Sequence, residues 1–321
     1  MNGQRDHGGG IDAAALRFGG SRADWLDLST GINPHPYPIP EIAADWWQAL
    51  PDAAGQQALL DAARAFWKPP AGADVLAAPG VSILIAMIPR LAACGPVCIP
   101  GPTYNEHAAA FATEGWQVKT DGSADAQVVV HPNNPDGRIW LADHVLENHV
   151  SLTIIDESFC DVCPEQSLLA LADRPGVVVL KGLGKFWGLA GLRLGFAIAK
   201  PATLDRLGAM MGPWAVSGPA QHVGAVALSD PAWAAQTRAR LSQDADRLDK
   251  ILTQSGAKSP RGTSLFRLYD VEDAKAWQDR LARHMIWSRI FPWSPQALRL
   301  GLPGAEADWQ RLEQALGTTD G

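Results

Sequence analysis

Four short segments carry side chains that could together hold one reactive ligand. Pro100-Gly101-Pro102-Thr103-Tyr104 offers an aromatic ring, and His131-Pro132-Asn133-Asn134-Pro135-Asp136-Gly137 an amide. Asp156-Glu157-Ser158-Phe159 offers a carboxylate, and Lys181-Gly182-Leu183-Gly184-Lys185 an amine. Each directly follows a short apolar run: Val97–Ile99, Gln127–Val130, Leu152–Ile155 and Val177–Leu180. Brief, β-branched runs bounded by turn residues predict strands buried on both faces. In an open α/β sheet, ligands bind beyond the carboxyl ends of the strands. Ring, amide, carboxylate and amine therefore converge on one rim. A flat, charged heteroaromatic aldehyde would use all four.

The elements that must position them alternate. A helical stretch, Gln56 to Trp67, precedes the first of these strands, and a further strand is expected at Gly195–Ile198. Helical segments fall between most of the runs, the pattern of a mainly parallel sheet covered on both faces. Residues 1–40 read as a loop-like arm. Their glycines and prolines, from His7-Gly8-Gly9-Gly10 to Asn33-Pro34-His35-Pro36-Tyr37-Pro38, argue against any regular element there. A large α/β domain is expected over 41–215 and a smaller α+β domain over 216–321. The latter has a long helix, Pro231 to Gln254, and strands at Leu265–Leu268, Ile286–Ile290 and Leu298–Gly301.

With 321 residues, the chain has the length of about two domains at ~150 residues each. Its 27 Lys+Arg against 34 Asp+Glu give a net charge of −7, which argues against nucleic acid or an anionic membrane as partner. From Ala77 to Pro102 the only charge is Arg90, but five prolines interrupt the stretch. No run reaches the ~20 apolar residues of a membrane span; a buried helix and a buried strand are expected instead. The N-terminus lacks the apolar core of a secretory signal, so a cytoplasmic protein with four reduced cysteines is expected. Cys94, Cys98, Cys160 and Cys163 read as buried thiols rather than zinc ligands, and no metal is expected. Gly182-Leu183-Gly184-Lys185 is no P-loop, because Val179 and Phe186 occupy the decisive places.

The segment from Lys181 through Lys185 and Arg193 to Gly195 resembles the lysine motif of fold-type I pyridoxal-phosphate enzymes. More narrowly, it is similar to class I/II aminotransferases, in which an arginine follows the lysine by eight residues. Asn134-Pro135-Asp136-Gly137 resembles that family's Asn-Pro-x-Gly turn, and Asp156-Glu157 its acidic pair. The resemblance covers essentially the whole chain. It implies pyridoxal 5'-phosphate carried on Lys185, with Asp156 pairing the pyridinium nitrogen. Asn134 would bond the ring's phenolic oxygen and Tyr104 would stack on the ring. Gly80, Val81 and Ser82, opening a helix, would take the phosphate with Arg193 as clamp. Phe159 stands where aminotransferases often place a tyrosine, Gly182 where a phosphate-binding serine is common, and Leu50-Pro51-Asp52 replaces a Tyr-Pro-Asp-like element.

The opening, His7-Gly8-Gly9 and then Asp27-Leu28-Ser29-Thr30-Gly31-Ile32-Asn33-Pro34, is similar to that of threonine-phosphate decarboxylases of cobalamin biosynthesis. Arg299, in Leu298-Arg299-Leu300-Gly301, matches the family's substrate-binding arginine, and Arg289 adds a second cation. Two arginines suit a small phosphorylated amino acid bearing a carboxylate and a phosphate. His7, Gly8 and Asn33 are the further substrate contacts so implied. The implied reaction is decarboxylation of L-threonine O-3-phosphate to (R)-1-amino-2-propanol O-2-phosphate, by a homodimer. The alternatives are a histidinol-phosphate-type aminotransferase and a non-catalytic binding protein of the same fold.

Overall fold

The computed structural model describes residues 7–148 and 150–317. Of these, 36–134 and 138–236 form one compact unit, and 7–35, 135–137 and 237–317 another. The strands, in chain order, are β1 (Leu26–Asp27), β2 (Asp74–Ala78), β3 (Pro96–Cys98), β4 (Gln117–Lys119), β5 (Ala126–Val130), β6 (Leu152–Asp156) and β7 (Val177–Gly182). They continue with β8 (Gly195–Ala199), β9 (Lys258–Thr263), β10 (Phe266–Asp270), β11 (Ile286–Trp287), β12 (Arg289–Phe291) and β13 (Ser294–Gly301).

The larger unit holds a sheet of order β2-β8-β7-β6-β5-β3-β4. From β4 to β7 every pairing is parallel, while β8 runs antiparallel to both β7 and β2. The fold is thus α/β with a mainly parallel sheet, as expected. Strands β5 to β8 are buried at every position, which is why they read as continuous apolar runs. Helices Val81–Met87, Asn105–Thr113 and Pro201–Met211 contribute Leu84, Phe111, Leu204 and Leu207 to a core with Val128, Ile154, Val178 and Ala197. Helix Ala53–Trp67 begins three residues before the expected start. The Asp52 carboxylate accepts from the Ala54 and Gly55 N–H groups at 3.1 and 3.2 Å, capping it. The edge strands β2 and β4 escaped the sequence reading, being shorter in apolar content than the interior strands.

In the smaller unit β12-β13-β10-β9 form an antiparallel sheet and β1 pairs in parallel with β11. Two expectations are corrected here. The segment 1–40 does hold regular structure: helix Ile11–Phe18 and strand β1. Its glycines lie at the helix ends, Gly10 with φ +81° and Gly19 with φ +93°. Between them Ile11 and Ala14 are buried against Trp25 and Ala282. Ile286–Ile290 is two strands, because the chain changes partner at Ser288, from β1 to β13.

A buried ion cluster lies inside the larger unit. Lys181, on β7 and 2% exposed, pairs with Glu157 Oε2 at 2.5 Å and lies 3.6 Å from Asp161 Oδ1. Burial alone would push its ammonium down, but Glu157 and then Asp161 hold it above its ordinary range. Glu157 also accepts from the Ser167 hydroxyl and the Leu168 N–H, at 2.7 and 2.6 Å. Asp161 accepts from the indole N–H groups of Trp67 and Trp187 at 2.9 and 3.0 Å. Removing one member of a buried ion pair strands the other charge, at about 3–5 kcal/mol. Lys181→Ala is therefore expected to lower unfolding free energy by about that amount in urea titration. A loss under about 1 kcal/mol would refute the structural role given to this pair.

Candidate functional site

Strand β7 ends at Gly182 and the chain turns sharply. The Leu183 N–H donates to Leu194 O at 3.1 Å, and the Leu189 N–H returns to Leu183 O at 3.0 Å. Phe186 and Trp187, on this turn, are wholly buried. Trp187 stacks on Trp233, with centroids 5.1 Å apart and planes 13° from parallel, and its N–H is held by Asp161. The turn is thus pinned on both sides of Lys185, which lines a pocket at the carboxyl ends of the parallel strands. Lys185 Nζ lies 5.5 Å from the centre of the Phe159 ring. Lys181, four residues earlier, is locked in the ion cluster below.

The same pocket is lined by Gly80, Val81, Ser82, Tyr104, Asn134, Asp156 and Arg193. All the cofactor-contact residues expected from the sequence are therefore brought together. Asp156, the last residue of β6, is 3% exposed. Its Oδ2 lies 2.8 Å from His107 Nε2, and its Oδ1 accepts from the Ser158 hydroxyl at 2.5 Å and the Ser158 N–H at 3.0 Å. Burial would raise this carboxyl. The His107 hydrogen bond and charge, with the Ser158 donors, outweigh it and hold Asp156 below the usual carboxylate range.

Arg193 has a left-handed backbone, φ +52°, at the end of a short 3-10 turn. Its guanidinium lies 3.3 Å from Ala190 O and 3.5 Å from Ser82 Oγ. Gly80, with φ +90°, permits this approach: a Cβ there would stand 2.6 Å from Arg193 Nη2. A Cβ on Gly195 would meet the Val81 nitrogen at 2.5 Å, so that crossing too requires glycine.

Besides Ser158, two residues that support this site escaped the sequence reading. His107 follows Tyr104 by three positions at the start of helix Asn105–Thr113, and their rings meet edge to face at 6.1 Å. That i, i+3 spacing was the available signal. Asn133, 1% exposed, accepts from the Thr103 hydroxyl at 2.6 Å and donates to Pro102 O at 3.0 Å. It ties the Tyr104 loop to the Asn134 turn.

The expected substrate-contact residues lie in the smaller unit. Arg289 and Arg299 face each other directly across β12 and β13. They are 9% and 5% exposed, each over an aromatic ring, Phe291 at 5.3 Å and Phe266 at 5.1 Å. Arg299 donates to Ser29 O at 2.6 Å. The Ser29 hydroxyl takes the Gly9 N–H at 2.6 Å and itself bonds Asp27 Oδ1, while the Trp287 N–H donates to Gly9 O at 3.1 Å. A Cβ on Gly8 would lie 2.5 Å from Ser29 O, so the His7-Gly8-Gly9 segment is packed against the residue that Arg299 holds. His7 itself is exposed. The Asn33 side-chain oxygen accepts from the His35 N–H at 3.0 Å and from Arg240 at 2.8 Å, stabilising its own turn.

His131, Glu157 and Cys160 place their polar atoms within 4.8 Å of one another. Their donors are committed elsewhere, however: His131 Nδ1 accepts from the Trp140 N–H, Nε2 bonds Gln166 O, and Glu157 holds Lys181. All four cysteines are free, with Cys98 and Cys160 buried, Cys163 half-buried and Cys94 exposed, against the expectation that all would be buried.

Comparisons with known proteins give a consistent result. A family model described as aminotransferase class I and II matches residues 23–316. The chain is 40% identical over 328 residues to a threonine-phosphate decarboxylase of Pseudomonas aeruginosa, covering 97% of each chain. It is 38% identical to one from Sinorhizobium sp, again over 97% of each. Among solved structures, a histidinol-phosphate aminotransferase of Sinorhizobium meliloti in complex with pyridoxal-5'-phosphate superposes with a TM-score of 0.83. It is 20% identical and is matched over 97% of this chain and 96% of its own.

The ionised state of Asp156 has a measurable signature. A carboxyl held below its unfolded value of about 3.9 contributes stability above that pH, lost as pH falls through the folded-state value. His107→Phe removes the principal donor and leaves the burial, so the folded-state value rises. Urea unfolding at a series of pH values between about 3 and 6 is expected to show the variant losing most stability relative to the wild type at the upper end of the range. The gap should narrow as pH falls, because the raised folded-state value leaves less stability for acid to remove. A gap that does not change with pH would refute this account.

Proposed function

Since the chain belongs to the aminotransferase class I and II family, we propose that it is a pyridoxal-phosphate-dependent threonine-phosphate decarboxylase. It would convert L-threonine O-3-phosphate to (R)-1-amino-2-propanol O-2-phosphate and CO₂, in cobalamin biosynthesis. The observation that carries the choice of reaction is the likeness, across 97% of each chain, to two threonine-phosphate decarboxylases.

The pocket's chemistry fits the cofactor. An amine, a buried carboxylate, a planar aromatic ring, an amide and a guanidinium beside a hydroxyl line one cavity. The glycine at position 80 leaves the guanidinium room that a side chain would fill. Lys185 would attach to the aldehyde carbon, Asp156 would pair with the pyridinium nitrogen, and Asn134 would bond the phenolic oxygen. Arg193, Ser82 and the backbone of Gly80 and Val81 would hold the phosphate. When bound, pyridoxal phosphate supplies an electron sink for the pair released as a bond to the substrate's α-carbon breaks.

The protein's own groups would do the rest. His107 and Ser158 keep Asp156 an anion, so a proton on its ring partner is stabilised by a full charge. Tyr104, fixed through Asn133 and Thr103, would hold the ring plane. Arg289 and Arg299 would bind the substrate's carboxylate and phosphate. Like charges directly opposed across strands repel, and an anion bound to both would offset that. Lys185 Nζ would return a proton to the α-carbon after CO₂ leaves.

A cytoplasmic setting is supported by four free thiols. Among the described residues no helix is long and apolar enough to cross a membrane. A homodimer is supported by Trp47, Leu50 and Trp214, which are 68%, 68% and 60% exposed in the single chain.

The test is incubation of the cofactor-loaded protein with threonine phosphate, following CO₂ and the amino-alcohol phosphate. Lys185→Ala should lose both the visible absorption of bound cofactor and all turnover. Arg299→Ala should lower kcat/KM about tenfold or more, the loss expected of a charged hydrogen bond. Turnover that requires a keto acid and releases no CO₂ would overturn the proposal in favour of an aminotransferase.

A further inference from the structure

The loop that follows Asp156 and Glu157 carries two cysteines that the reaction above does not use. Cys160 opens a 3-10 turn, and the Cys163 N–H donates to Cys160 O at 2.9 Å. Such an i, i+3 closure brings the two Cα atoms within about 7 Å, and disulfides form at Cα separations of about 4.4–6.8 Å. The Cys160 thiol also reaches Cys163 O, at 3.7 Å, so its side chain already points along the turn toward its partner. Cys160 is wholly buried and Cys163 half-buried. Of the two, Cys163 is thus the one nearer the surface.

We propose that Cys160 and Cys163 form a redox-active dithiol, a covalent modification site whose co-reactant is a small-molecule disulfide. The half-buried Cys163, as thiolate, attacks one sulfur of the reagent, forming a mixed disulfide and expelling the other half as a thiolate. Cys160 then attacks Cys163 Sγ, forming the intramolecular S–S bond and expelling the second half. The protons of the two protein thiols end on the two departing thiolates. Two electrons and two hydrogens leave the protein, and the reagent is reduced to two thiols. A thiol reductant reverses every step.

The surroundings agree with this order of events. The Cys160 thiol donates toward the Cys163 sulfur, which holds Cys163 below its ordinary range against the cost of burial. The same hydrogen bond, with burial, pushes Cys160 up. Cys163 therefore holds the nucleophilic charge and Cys160 the proton. Around the pair, the Glu157 carboxylate disfavours the thiolate of both cysteines, and Glu165 that of Cys163, while the Lys181 ammonium favours both.

To test this, the full chain loaded with pyridoxal phosphate is equilibrated with glutathione disulfide. Remaining thiols are then alkylated and the peptides mapped by mass spectrometry. Cys160 and Cys163 are expected to be protected together, lighter by two hydrogens, and to become alkylatable again after reductant. Cys160→Ser should stop at the mixed disulfide, with glutathione retained on Cys163. In Cys163→Ser the buried Cys160 should take up no glutathione. Full alkylation of both cysteines in the wild-type protein, or glutathione confined to Cys94, would overturn the proposal. These readings concern thiols alone and do not depend on which reaction the pocket performs.

Discussion

A carboxylate must remain charged where little water reaches it, and the larger unit is arranged around that requirement. Asp156 closes a strand whose five residues are all buried, so solvent does little to stabilise its charge. Three hydrogen bonds replace the solvent, one from the His107 ring and two from Ser158. The helix beginning at Asn105 must therefore place its third residue over the end of β6. The parallel sheet must in turn bring that end beside Lys185. Removing the donor while keeping the burial turns a stabilised anion into a group that prefers to be neutral.

Immediately after Asp156 the chain spends a second acid on a different task. Glu157 joins Lys181 and Asp161 in a closed ion cluster beneath the pocket. Such clusters are weak sources of net stability, since desolvation offsets much of the attraction. What this one does is geometric. Asp161 holds the indole of Trp187, two residues beyond Lys185, and so ties the lysine turn to the loop that follows Asp156. Two lysines four residues apart thereby differ completely in environment, one sealed in the cluster and the other facing the cavity.

Much of this was legible in the sequence, for identifiable reasons. The interior strands announced themselves because burial on both faces leaves an uninterrupted apolar run. That the segments of Tyr104, Asn134, Asp156 and Lys185 meet at the pocket follows from the rule that ligands bind at the carboxyl ends of parallel strands. Gly80, Val81, Ser82 and Arg193, by contrast, were reached only through the family resemblance. What escaped depended on partners distant in sequence. His107 could be weighed only by knowing that a helix sets it over Asp156, 49 positions away. Helix Ile11–Phe18 was hidden by flanking glycines, which end a helix without preventing one. The break at Ser288 is invisible locally, since it reflects a change of pairing partner from β1 to β13. The opposition of Arg289 and Arg299 is a matter of register, which no single strand displays.

The stacked indoles of Trp187 and Trp233 have an optical consequence. The chain contains thirteen tryptophans, and the planes of this pair lie nearly parallel, with Trp187 only two residues from Lys185. Rings that close share their excited states, and their emission depends steeply on overlap. The lysine turn thus carries its own chromophore, anchored by one carboxylate, and a displacement of that turn by a fraction of an ångström would register as a change of colour and intensity in the protein's own fluorescence.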